Sequence, residues 1–376
     1  MIETSPLFIP WKDPHSGVVS YLLDRRVAPL QQSFYFTSEC LSRDGRYLWF
    51  YCAFPPGGDA YYGRQLAVAD LKEGQVSHYP ETQFADASPY MDPATGDIYW
   101  TTLLGLWKRA PGADQPVIPV NTFPESLAHN RRPLRIATHL FRCADGKSFA
   151  IDAQIGRDWF LGDMPLDGSP FRLWKRFERG YNHAQFSPVD PDLILIAQDG
   201  WYDPVTGEKG EAVDRIWLAR RDGRVESLFP DSPSNARGHE WWGSDGRHVW
   251  YVHYGRGVAS CRLADRKVEM VWPLEFASHA HADTTDRYLV ADAIPNDHPE
   301  SRVAFFNRES GRSIDIVSHL PYPAPDLRLY KSKYHVHPHP RFSGDDRYII
   351  YTTTVRGIVD VAVVPVAPLV GMTSNP

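Results

Sequence analysis

The chain is poor in several features, and each shortage narrows the field. Only four cysteines (Cys40, Cys52, Cys143, Cys261) occur in 376 residues. They show neither CxxC spacing nor the density of a disulfide framework, so buried thiols in a reducing compartment are expected. Positive charge is not in excess, with Lys and Arg totalling 40 against 46 Asp and Glu, a formal charge of −6. Little is left to grip a phosphate backbone, and nucleic acid is not an expected partner. No stretch approaches ~18 uninterrupted apolar residues. The opening "MIETSPLFIPWKDPHSG" lacks a basic segment followed by an apolar one. The expectation is a soluble, cytoplasmic protein with no membrane partner. Helical periodicity is scarce as well, because Pro, Gly and Asp interrupt every window long enough to hold it. A parallel α/β sheet needs crossover helices, and none is evident.

What is abundant is turn-plus-strand. The segments "SRDGRYLWFYCA", "MDPATGDIYWTT", "CADGKSFAIDA", "SPVDPDLILIA", "GSDGRHVWYVHY", "TTDRYLVADA" and "SGDDRYIIYTT" each lead from an Asp/Gly/Pro turn into β-branched and aromatic residues. Their separation of roughly 40 to 60 residues is that of four-stranded propeller blades. The fold expected is all-β, a seven-bladed β-propeller forming one domain over residues 1–376. The late "GIVDVAVVPVA" is expected to pair with the early "GVVSYLLDR", closing the ring without an open edge.

Aligning the eight residues that end at each turn puts Ser38, Asp86, His139, His183, His239, His279 and His339 in one register, five of the seven being histidine. This is where an innermost strand begins to face the central channel. Alternation along a strand adds His281 to the face of His279, and His335 and His337 to that of His339. Single histidines at such positions also serve as hydrogen-bonding ties between blades. A structural residue would recur in every blade, however, whereas here the extra histidines concentrate in the last two. Imidazoles so placed suit a borderline divalent metal such as Mn, Zn, Ni or Fe. Asp283 and Glu275 are the carboxylates expected to orient them. Trp241, Trp242, Tyr181 and Tyr202 are candidates for stacking on sugar faces or for inter-blade core.

The strings "RGHEWWGSDG", "FASHAHADTTD", "YNHAQFSP", "VDRIWLARRDG" and "VHPHPRFSGDDRYIIYT" resemble the blades of the oligogalacturonate lyases, seven-bladed propellers that cleave uronate oligosaccharides by β-elimination. The resemblance implies a manganese site at His279, His337 and His339, with Tyr334 where the family carries a glutamine and His335 or His281 in its stead. It implies His239 as general base and Arg215 as the cation for the uronate carboxylate, with His183 or Tyr181 as reserve base or acid. His139, Tyr181, Trp241 and Tyr334 are the expected substrate contacts. Where the family has basic residues in the first blade this chain has Gln31, Gln32 and Glu39. That departure suggests another uronate-bearing glycan of glucuronate or ulvan type. A non-catalytic binding propeller is the competing class, although the G-H and W-D signatures of such scaffolds are missing.

Overall fold

The computed structural model describes residues 2–203, 205–295, 301–321 and 333–375. Seven antiparallel sheets follow one another along the chain as the blades of a β-propeller. We number them I to VII. Blade I begins at Leu30–Gln32, II at Tyr90–Met91, IV at Tyr181–Phe186, V at Arg237–Trp242, VI at Ala277–Ala282 and VII at Arg341–Phe342. Blade III has three full strands from Ser148–Ile155 onward, its inner edge reduced to two isolated bridges, Arg135 with Gln154 and Arg142 with Phe149. In blade VII the strand Val19–Leu23 pairs antiparallel with Asp360–Pro365, Tyr21 opposite Val363, and Phe8–Lys12 lies outside it.

The second strand of each blade is mostly apolar because blades cover it on both faces. In Leu193–Gln198 every residue is buried. Ile194 and Ile196 pack toward blade III with Leu161 and Trp174, while Leu193 and Leu195 pack toward blade V with Val249 and Tyr251. The two-residue alternation thus divides one strand between two blade interfaces. Each such side chain contributes about 1.5–3 kcal/mol by burial. All four cysteines are buried and free, and no described helix is long and apolar enough to cross a membrane.

Candidate metal centre and active site

The channel-facing residues owe their position to a repeated backbone irregularity. Where the first strand of a blade meets the second, the register shifts between Asn182 and Gln185, between Gly238 and Trp241, and between Ala277 and Ala280. Such a bulge turns one residue out of the ladder. His183 and His239, inside the first two shifts, adopt left-handed backbone with φ of 54° and 47°, as do Asp86 and His339 just ahead of the first strands of blades II and VII, with 51° and 45°. The bulge breaks strict alternation, so residues two positions on turn to the neighbouring blade. Trp241 stacks on Trp250, and Gln185 donates to the Glu240 carbonyl at 2.8 Å.

His279, His335, His337 and His339 each offer a ring nitrogen, and these four atoms lie within 4.8 Å of one another. The segment carrying three of them is not a strand. On a strand, positions four apart would be separated by about 13 Å, too far to share one ion. Instead the N–H of His337 reaches back to the carbonyl of His335 at 3.0 Å, and His335 and His339 both have positive φ. The coil gathers what a strand would spread.

Asp292, fully buried, organises the group. Its carboxylate accepts from the backbone N–H of His279 at 2.7 Å, the Nδ1 of His279 at 2.9 Å and the backbone N–H of His339 at 3.3 Å. With Nδ1–H committed to the carboxylate, the lone pair of His279 sits on Nε2. That atom and Nε2 of His339 are buried without a hydrogen-bond partner. Buried nitrogens left without donors, oriented from behind by a carboxylate, fit a divalent metal. Tyr35 of blade I lies against the histidines, its ring 4.4 Å from His139, 4.9 Å from His339 and 5.9 Å from His279.

His239 lies beside this group, its ring 4.1 Å from that of His279. Its Nδ1 is bonded to the carbonyl of Ser278. A carbonyl only accepts, so Nδ1 carries the hydrogen and Nε2 the lone pair. Burial, then the charges of His279 and Arg215, holds this imidazole well below its usual pKa. A second chain of inference covers His183. His139 Nδ1 faces the carbonyl of Ala87 at 3.4 Å, so His139 Nε2 is an acceptor and takes the Nδ1–H of His183 at 2.8 Å. The lone pair of His183 is therefore also on Nε2.

Arg215 pairs through Nη1 with Asp199 at 3.1 Å and through Nε with Glu240 at 3.2 Å, leaving Nη2 without a partner among the described residues. These partners, rather than the nearby Asp214 or Asp222, hold it. Burial works against its charge, but Glu240 and Asp199 outweigh that and raise its pKa. Gly238 makes the arrangement possible, since a Cβ there would meet the Tyr254 hydroxyl and come 3.0 Å from Nε of Arg215. Within "HEWW", then, His239 faces the channel and Glu240 holds Arg215. Trp241 fills the blade interface, and Trp242 donates from Nε1 to the Gln185 carbonyl at 3.0 Å.

Several expected positions lie elsewhere. His281 is outside the four-histidine group, because the bulge turns it toward blade VII. Its Nδ1 accepts from the N–H of Phe342 at 3.4 Å, and its ring faces Trp241. Trp241 and Tyr334 are buried, the first in the core between blades V and VI and the second against Leu30, Ala53 and Val359, so neither presents a surface to a ligand. His139 is 1% exposed and acts through His183. Tyr181 packs on Phe177 and accepts from Gln198, lining a flank cleft of about 890 Å³ that none of the channel histidines lines. Asp283 is spent on the turn amides of Arg287 and Tyr288, and Glu275 is exposed. Gln31, Gln32 and Glu39 are buried, Glu39 paired with Arg341 and Gln32 bonded to the Tyr334 carbonyl. Asp292 was missed although its signal was present, a lone carboxylate inside the apolar "YLVADA".

A propeller with a cluster of four histidines able to hold a metal ion, at the head of its inner strands, is the class that fold and site define. No family model matches the chain. A curated oligogalacturonate lyase of Dickeya dadantii (strain 3937) is 21% identical over 372 residues, covering 86% of this chain and 87% of that protein. An oligogalacturonide lyase of Pectobacterium atrosepticum is 23% identical over 195 residues, 46% of this chain and 47% of that protein. Among solved structures, an oligogalacturonate lyase in complex with manganese superposes with a TM-score of 0.73 at 17% identity, covering 95% of this chain and 96% of that one. One from Vibrio parahaemolyticus gives 0.73 at 16% identity, covering 96% of each. The chain is thus similar to the oligogalacturonate lyases over nearly its whole length, in sequence as in fold.

Proposed function

We propose that the protein is a lyase that cleaves uronate-containing oligosaccharides by β-elimination. Residues 1–376 form one propeller domain in this reading, and the buried free thiols suit a cytoplasmic setting. The observation that carries it is His239, its Nδ1–H given to the Ser278 carbonyl and its pKa held low chiefly by burial, lying beside the four-histidine group and under the charge of Arg215. His239 Nε2 takes the proton from C5 of the uronate, the electron pair forms the C4–C5 double bond, and the C4–O bond breaks. The protonated His239 is then a donor for the leaving oxygen, and a 4,5-unsaturated uronate results. Arg215 meets the carboxylate through Nη2, stabilising the charge that develops when C5 loses its proton. His279, His335, His337 and His339 hold a divalent ion, manganese by likeness to the solved relative. The chemistry such an ion supplies when bound is Lewis-acid polarisation of the same carboxylate.

Likeness to the curated oligogalacturonate lyases supports a galacturonide-like substrate, with a glucuronate- or ulvan-type glycan as the alternative. The test is ultraviolet detection of the unsaturated product from oligogalacturonate. His239→Ala is expected to lower kcat by about 10²–10⁴-fold with metal content unchanged. Near-normal turnover in that variant would remove His239 from the mechanism.

A further inference from the structure

Three arginines, Arg64, Arg135 and Arg215, act electrostatically on the channel histidines. Two are engaged. Arg215 has Glu240 and Asp199, while Arg64 donates to the carbonyls of Ala60 and Asp86 at 3.2 and 2.5 Å and lies over the ring of Tyr51. Arg135 has neither hydrogen bond nor ion pair for its guanidinium among the described residues, and its Nε is buried without a partner. Its backbone is fixed four residues ahead of His139 by Gln154, whose N–H reaches the Arg135 carbonyl at 3.0 Å while its carbonyl accepts from the N–H of Leu134 at 2.7 Å. The side chain is half-buried, and its charge acts on His139, His183, Asp86 and Asp152.

Neither carboxylate answers that charge at contact distance. Asp152 is occupied by the N–H groups of Thr138 and Ala184 at 2.6 and 3.1 Å. Burial raises the Asp86 carboxyl to about 6 against the pull of Arg135 and Arg64, and it forms no ion pair with Arg135 among the described residues. A half-buried guanidinium without an anion is costly, and its planar fork matches a carboxylate.

Resting on the lyase reading, we propose that Arg135 anchors the carboxylate of the uronate adjoining the one attacked by His239, so that the site selects chains bearing carboxylates on two consecutive sugars. Arg215 and Arg135 then serve different rings of one substrate, with His183 and His139 between them.

The test compares intact, manganese-loaded wild type with Arg135→Ala and Arg135→Lys on trigalacturonate and on an oligosaccharide whose cleavable uronate adjoins a neutral sugar. Arg135→Ala is expected to raise KM for trigalacturonate by about 10- to 100-fold. Its kcat and melting temperature should stay near wild type, Lys should restore part of the loss, and the mono-carboxylate substrate should not respond. An unchanged KM for trigalacturonate, or an equal rise on both substrates, overturns the proposal. If wild type yields no unsaturated product, the lyase reading fails. Calorimetric binding of trigalacturonate then decides Arg135 separately: a tenfold or greater weakening in Arg135→Ala upholds the anchor, and an unchanged Kd removes it.

Discussion

The junction between blades III and IV and the junction between blades VI and VII are built on one plan. In each, a buried aspartate on the second strand accepts N–H groups from the inner edge of its own blade and from the next. Asp152 takes those of Thr138 and Ala184, and Asp292 those of His279 and His339. The difference lies in where the local histidine spends its nitrogens. His279 gives Nδ1–H to Asp292 and keeps Nε2 open to the cluster, whereas His139 turns from Asp152 and uses Nε2 to fix His183. The same scaffold thus produces a candidate metal ligand in one place and a tautomer-setting support in the other. What separates them is one hydrogen bond to a carboxylate.

The comparison breaks most visibly at the two aspartates. Asp292→Ala is expected to weaken metal affinity by about 10–100-fold, whereas Asp152→Ala should leave metal affinity intact. Both should lower the melting temperature, since each strands two buried N–H groups. Metal titration and thermal denaturation of the pair read this, and equal loss of metal in both would erase the distinction between the junctions. A smaller effect is expected from His183→Ala. Under the proposed roles, with His239 the principal base and His183 a reserve, kcat should fall less than in His239→Ala, with metal retained. Abolished turnover in His183→Ala, beside mild impairment in His239→Ala, would exchange their roles.

The smallest effect concerns pH. Burial chiefly, opposed by the Ala87 carbonyl and reinforced by Arg135 and Arg64, lowers the pKa of His139 to about 3, with His183 and Tyr35 packed against it. The unfolded chain binds this proton more readily, so its contribution to stability is complete above the ordinary value near 6.5 and declines as pH falls from there toward about 3. Urea titrations across that window should show falling midpoints, and His139→Gln should flatten the slope. An unchanged slope would mean that His139 is not held neutral by the fold.

The seven blades were legible because turn residues and β-branched runs recur in register. The five-histidine series was legible because each member precedes the turn by the same count. Convergence of His335, His337 and His339 was legible only as composition. Alternation on a strand was the wrong geometry, and positive φ at two histidines leaves no mark in a residue string. His281 was misplaced for the same reason, as a bulge shifts faces without changing the sequence period. Tyr35 and Arg135 belong to no repeat, and only the folded ring reveals that the ring of Tyr35 lies against the histidines and that the charge of Arg135 acts on two of them.

The left-handed backbone shared by Asp86, His183, His239 and His339 sets an inheritance rule for the channel. Residues that tolerate this conformation are few, chiefly Gly, Asn, Asp and His, and β-branched ones are excluded. These four positions are therefore interchangeable sockets whose occupant can pass among carboxylate, amide and imidazole without redrawing the main chain. Blade II already holds the carboxylate. A combinatorial library confined to those four amino acids at the four sockets would sample new chemistry while staying largely within folded sequences, whereas unrestricted randomisation would spend most of its members on strained backbones.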